Sequence, residues 1–483
     1  MENLIGLCIF TQKLNSLGVD CLGLKKDKPE ELYDIVVDGV SNRVDAKKKL
    51  FDSRYDSQLL YSAECNLYNR LTNTILSTPD QTGSEHLVKL KALSKTLSLF
   101  NYLIAKGQRK IAIPIGEKAL KESIKFGFTS IAVDFLKGLS RHYSAFDANR
   151  KKFTFYLELF KEYSTIYSYE MQAEALLSEA SFITTGKKFR DKKQIDELRK
   201  CCNAAYDIVK EAKSFRIIIA CYNVIAYYNS ICNDYEQLVE TCQAALNQMN
   251  KLESKLPHTA RFSFLIKMIP ALLINKNYEL AEATINKCIE IVPFAKHNWV
   301  VSNQYKIILL LQKEQYDEAI KTIKEVRKKK TKHIISKQEI FNIYETYANV
   351  LAGNKGKMMN ELPEFSKDKK GMNVNLLVLQ MLFLLREGKN GKVLDRIESI
   401  RRYTYRHLKG RSDIKTLRSN AFLNALVQFD NIKGDFRKVV FQRKSQKYLN
   451  QLLDTPVKST GQDFQLEIIP FEKLYDFTIS CLN

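Results

Sequence analysis

Between residues 86 and 450, apolar side chains recur every three or four positions, the period of an amphipathic helix. Short Gly-, Asn- or Lys-rich connectors interrupt these runs: Ala105-Lys106-Gly107-Gln108, Asn275-Lys276-Asn277, Gln312-Lys313-Glu314-Gln315, Arg386-Glu387-Gly388-Lys389 and Ile432-Lys433-Gly434-Asp435. Each follows one apolar helix and precedes another, so the pattern predicts a string of αα-hairpins. Residues 1–80 are less regular. The start, Met1 to Phe10, lacks a positive leader and reads as an amphipathic helix rather than a signal peptide. Lys25 to Glu31 is a charged connector, and helices are predicted near 29–39, 43–50 and 56–77. The last of these places Leu59, Leu60, Ala63, Leu67, Leu71 and Ile75 on one face. Thr78 to Ser84 is a break.

The second helices of the hairpins align on an aromatic residue. Tyr235, Tyr278 and Tyr316 are each followed at three, seven and ten positions by small or apolar residues. These are Leu238, Cys242 and Ala245; Ala281, Ile285 and Cys288; and Ala319, Ile323 and Val326. Such positions share one helical face, and a short side chain at the first lets two helices approach closely. This order resembles the tetratricopeptide repeat, best over residues 278–293, where Pro293 closes the unit. Tyr222 and Ala226 fit the bulky and small positions of a preceding first helix. Weaker copies fall at Ala112 with Ala119, Gly391 with Leu394, and Phe436 with Val439. The steps of 43 residues (Tyr235 to Tyr278) and 38 residues (Tyr278 to Tyr316) exceed the usual ~34, and the first-helix Trp-Leu-Gly signature is absent. The resemblance implies an all-α, right-handed α-solenoid of stacked antiparallel hairpins. It also implies capture of a protein or peptide in a groove lined by first helices. In that register Asn223, Tyr227, Gln304 and Gln312 are the candidate groove residues, against a plainer reading as exposed polar positions.

Three parts are expected: an N-terminal helical segment (1–80), a helical-repeat domain (86–353) and basic C-terminal repeats with a capping tail (373–483). The internal boundary falls where a short helix near Lys355 stops at Pro363 and a solvated loop, Ser366 to Gly371, follows. Pro470 opens a final helix ending near Cys481.

Composition agrees with helices. Nine Pro and eighteen Gly in 483 residues are too few turn formers for an all-β chain. Ten cysteines show no CxxC pair, and several sit in apolar helical settings such as Ala220-Cys221-Tyr222. That argues for a reducing compartment, the cytoplasm. No uninterrupted apolar run approaches about 18 residues, so no membrane span is expected.

Motifs for catalysis are missing. Gly353-Asn354-Lys355-Gly356-Lys357 lacks the spacing and the strand of a phosphate loop. His86, His142, His258, His297, His333 and His407 form no HxxxH pair and lie at no ligand spacing from cysteine. No GxSxG elbow exists. The expectation is a non-enzymatic chain with no cofactor and no metal.

Charge changes the picture. There are 76 Lys and Arg against 54 Asp and Glu, a net of +22. Such a balance attracts phosphate or acidic surfaces, or simply keeps the chain soluble. Arg327 to Lys330 and Gly186 to Lys193 follow helices and read as solvated or dipole-capping runs. The stretch 396–450 holds fourteen basic and four acidic residues. Arg401, Arg402, Arg406, Lys409 and Arg411 form one group, with Tyr403 and Tyr405 interleaved; Arg437, Lys438, Arg443, Lys444 and Lys447 form another. This face reads equally as solvated or as a grip on nucleic acid or an acidic protein. A helix-turn-helix reading is open at Arg43–Phe51 and Ser57–Leu76, with Arg54, Tyr68, Asn69 and Arg70 as groove-reaching residues. Two functions are carried forward: a scaffold or adaptor for a protein or peptide, and a nucleic-acid-associated regulator using the basic face.

Overall fold

The computed structural model describes residues 2–15, 27–51, 57–77, 84–185, 192–252, 255–293, 296–335, 337–354, 372–407, 414–431, 437–455, 457 and 467–482, and every regular element among them is an α-helix. The chain forms two compact units, Met1–Phe135 and Leu136–Asn483.

The first unit begins with α1 (Glu2–Asn15), α2 (Lys28–Val37), α3 (Arg43–Leu50) and α4 (Ser57–Ser77), which share a core including Leu4, Cys8, Leu32, Ala46 and Leu67. Their starts are chemically marked. Asp27 accepts from the Glu30 N–H at 3.3 Å, and Asn42 from the Asp45 N–H at 2.9 Å, each satisfying an orphan donor of a first turn. On α4 the predicted face is buried at Leu60, Ala63, Leu67 and Leu71. Leu59 is 46% exposed, because consecutive helical residues point about 100° apart and Leu60 takes the core position. The hairpin of α5 (Glu85–Ala105) and α6 (Arg109–Lys125) closes where Gly116 lies against Phe100. Ala112 and Ala119 on α6 are both buried. α7 (Thr129–Ala145) follows.

The second unit is a hairpin array. A long helix, α8 (Arg150–Thr185), and α9 (Lys192–Val209) pack on α10 (Phe215–Cys232). Hairpins then follow as α10 with α11 (Tyr235–Asn250), α12 (His258–Ile274) with α13 (Tyr278–Ile291), and α14 (His297–Gln312) with α15 (Tyr316–Arg327). After a turn, α16 (Lys332–Ile335), come α17 (Gln338–Ala352), α18 (Met372–Arg386) with α19 (Asn390–His407), α20 (Ile414–Asn431) with α21 (Lys438–Asp454), and a last helix α22 (Phe471–Ser480). Each second helix of the three central hairpins packs on the next first helix, so one hydrophobic cluster runs from Ala173 to Ile479. All nine small or apolar positions that follow Tyr235, Tyr278 and Tyr316 are buried in it.

One turn geometry recurs between first and second helices. In the α5/α6 turn Gly107 has φ +75°, its N–H reaches the Ile104 carbonyl, and the Gln108 N–H reaches that of Leu103. The same two hydrogen bonds, with positive φ between them, occur at Asn233, Lys276, Glu314 and Gly388. This is the Schellman ending, which satisfies the last carbonyls of one helix and points the chain into the next. After it, Asp234 and Asn277 accept from the N–H groups of Gln237 (3.0 Å) and Leu280 (3.3 Å) to start α11 and α13.

One described helix, α10, is long and apolar enough to cross a membrane by length and composition. Its eighteen residues include Tyr222, Asn223, Tyr227, Tyr228 and Asn229, so no uninterrupted run signals it, yet its mean hydropathy still passes. Most of it is buried against α8, α9 and α11, and Asn229 donates to Thr241 at 2.9 Å.

Candidate partner-binding surface

The residues expected to line a groove fall on first helices, in different settings. Asn223 and Tyr227 lie one turn apart on α10. Asn223 is buried, its amide donates to the Ile219 carbonyl at 2.8 Å, and its Oδ1 meets no donor among the described residues. Tyr227 is half-buried. Beside it stands a residue not among the expected groove positions, Lys267 on α12. Its Nζ lies 5.8 Å from the centre of the Tyr227 ring and 6.0 Å from that of Phe264, and donates weakly to the Ser263 carbonyl at 3.4 Å. Among the described residues no carboxylate pairs with it. Burial holds the ammonium below its ordinary pKa, because a desolvated cation is disfavoured. The sulfur nearby, Cys242, is itself pushed up to about 12 by burial and stays a neutral thiol. Asn223, Tyr227 and Lys267 therefore gather a hydrogen-bonding amide, a ring face and an unneutralised cation across two neighbouring first helices. Gln304, on α14, is half-buried and separate from this cluster in the contacts described.

Gln312 sits at the opposite extreme. It is 2% exposed, and its amide lies 3.4 Å from the carbonyls of both Glu467 and Ile468. Its own carbonyl accepts from Lys473 Nζ at 2.8 Å, and Lys473 also pairs with Glu314 at 2.8 Å. The chain's C-terminal segment thus occupies the end of α14. The segment is pinned from the far side by Arg418 on α20, which pairs with Glu467 and Glu472, while Phe471 stacks on Phe422 at 4.7 Å.

The basic residues of 396–450 divide in the same way. Arg418, one of the fourteen basic residues counted there, is 3% exposed and structural. Arg401 and Arg402 are exposed but share Glu398, at 3.3 and 3.0 Å. Arg406, Arg437, Lys438, Arg443, Lys444 and Lys447 are exposed. Lys409 and Arg411 lie outside the described residues, as does Phe436. Val439, its partner in one of the weaker repeat copies, is 75% exposed rather than packed, and Gly391 of another has open space where a side chain would go.

In the N-terminal unit α3 and α4 form at the expected positions, and Arg54 lies outside the described residues. Arg70 is tied to Asp27 by two hydrogen bonds, and Arg43 to Glu64 by two more. Both guanidinium groups are therefore engaged inside the unit. Tyr68 and Asn69 line a recess of about 280 Å³ together with Glu64, the carboxylate that Arg43 pairs with.

No protein-family description and no curated protein matches this sequence. A solved structure of selenomethionine-labelled phAimR superposes with a TM-score of 0.37 at 13% identity, over 88% of this chain and 100% of that one. A similarity so low carries nothing about function.

Two features escaped the sequence because both depend on distant neighbours. The desolvation of Lys267 arises from Tyr227, 40 positions earlier, and from the packing of α12. The burial of Gln312 arises from a segment 155 positions later. The only sequence signal for Lys267 is that it is the one charge in the apolar stretch Phe262 to Ile274.

Proposed function

We propose that this chain is a non-enzymatic helical-repeat adaptor that holds an acidic segment of a protein or peptide across the first helices α10 and α12. One observation carries this reading: Lys267 is a desolvated cation with ring faces beside it and no carboxylate of its own among the described residues. Lys267 is half-buried, and taking a charge partly out of water with no carboxylate beside it opposes folding, so such a group is a poor structural choice and a good anchor for an incoming anion. Asn223 and Tyr227 lie alongside to contact the backbone or side chains of the same segment, and Gln304 offers a further polar position on α14. Gln312 drops out of the groove, since the C-terminal segment engages it. The resemblance of the Tyr278 unit to the tetratricopeptide repeat supports the same mode of capture. The described cysteines are free, which supports a reducing compartment such as the cytoplasm.

The test is a peptide-display selection on the full chain, counter-selected on Lys267→Glu. The expected result is a set of extended peptides sharing Asp or Glu that bind wild type and lose binding to the variant. Peptides that bind both proteins equally, or a selection that enriches no acidic residue, would overturn the reading.

A further inference from the structure

A different face of the second unit carries a second binding surface, independent of Lys267. We propose that the exposed side of α21, with the end of α19, docks the phosphate backbone of a nucleic acid without reading its bases.

The two helices both pack on α20, which is buried between them, and each leaves its other side to solvent. On α21 Lys438, Arg443, Lys444 and Lys447 are exposed. The helix has a single acidic residue, Asp454, at its last position, and these four cations make no ion pair among the described residues. Several cations elsewhere in the chain are neutralised instead. Lys28, Lys89, Arg199, Lys213, Lys313 and Arg327 all have carboxylates within salt-bridge distance. Arg443 and Lys447 are one turn apart on the same stripe, about 6 Å along the axis. At the end of α19, Arg406 and the 66% exposed Tyr405 add a charge and a ring. Arg401 and Arg402 contribute less, because Glu398 already neutralises part of their charge.

The arrangement favours a regular polyanion over the alternatives. A single carboxylate is best held by one desolvated cation, as at Lys267; a row of hydrated, unpaired cations instead gains by releasing counterions from a phosphate chain. A membrane would need a contiguous apolar wedge. The exposed apolar residues of α21, Val439 and Leu453, stand about 21 Å apart along the helix.

Fluorescence anisotropy with a labelled 20-nucleotide RNA strand and the matching DNA duplex tests this on the full chain. If three phosphates are neutralised, affinity falls roughly 40-fold between about 50 and 200 mM salt for the duplex, somewhat less for the single strand. The variants R443E/K444E/K447E and R443Q/K444Q/K447Q should both lose most of that affinity and of its salt dependence. A reversal matched in charge but placed elsewhere, K324E/K328E/K332E, should keep the wild-type salt slope. Equal losses in the matched control would show a generic charge effect and overturn the assignment. Unchanged binding in the α21 variants would do the same. So would binding of polyglutamate or of phosphatidylserine vesicles as tightly as nucleic acid.

Discussion

Arg418 grips Glu467 through two hydrogen bonds, Nε to Oε1 at 2.6 Å and Nη2 to Oε2 at 3.0 Å, although 49 positions separate them. The other three N–H groups of the same guanidinium reach Glu472 (2.8 Å) and the carbonyls of Leu452 (2.9 Å) and Thr455 (2.7 Å). Every donor of a buried arginine is thus used, and Glu467 also accepts from the Phe471 N–H at 2.9 Å, so it starts the last helix. Removing the guanidinium strands a buried carboxylate. Arg418→Met should cost about 3–5 kcal/mol in urea unfolding of the C-terminal part. Arg418→Met combined with Glu467→Leu should lose clearly less than Arg418→Met alone, because the stranded charge is gone.

The recurring hairpin turn makes a second prediction, of opposite sign at two kinds of site. Lys276 holds a left-handed φ of 56° that its side chain disfavours. Lys276→Gly should therefore stabilise the chain by about 0.5–1 kcal/mol. Gly107 and Gly388 hold φ +75° and +65° with open space around the missing side chain, so Ala there meets only the conformational penalty. Each should cost about 1 kcal/mol by denaturant midpoint.

A third prediction concerns packing in the N-terminal unit. A Cβ on Gly116 would stand 2.6 Å from Cε2 of Phe100. That ring is 1% exposed and set edge-on to Phe135 at 5.3 Å, so it has nowhere to go. Gly116→Val should destabilise the unit by about 2 kcal/mol, the usual size of an overpacked contact. Gly116→Val with Phe100→Leu should recover part of the loss.

Lys267 links stability to pH. Its pKa in the folded chain lies below that of an unfolded lysine, about 10.4. The unfolded state therefore binds more protons between the two values, and stability rises with pH across that window. Below the folded pKa the full cost of the buried charge is present. Lys267→Met removes that cost and should be more stable than wild type at neutral pH, by about 1 kcal/mol. Unfolding at a series of pH values should show the gap closing as pH approaches 10.

The repeat core was legible because its signals are local. Tyr235, Tyr278 and Tyr316 each begin a second helix, and the small or apolar residues behind them are all buried, since helical periodicity places them on one face. The connectors were legible too, although only the structure shows that Asn233, Lys276 and Glu314 take the place glycine holds in other turns. What failed was whatever depends on residues far along the chain. Arg418 is only one of fourteen basic residues in 396–450 by sequence, and its role depends on Glu467 and Glu472, 49 and 54 positions later. Gln312 read as an open groove position until the C-terminal segment engaged it. Lys267 read as nothing at all, because its meaning comes from the rings and the missing carboxylate around it.

The most direct measurement is the titration of Lys267 by NMR, using carbon-labelled lysine in the full chain, with and without an acidic peptide from the selection. In the free protein its pKa should lie below the ordinary lysine value, and peptide carboxylate should move it upward, while a peptide with Asn and Gln in place of Asp and Glu should not. A pKa unchanged by saturating acidic peptide would contradict the claim that this cation receives the partner.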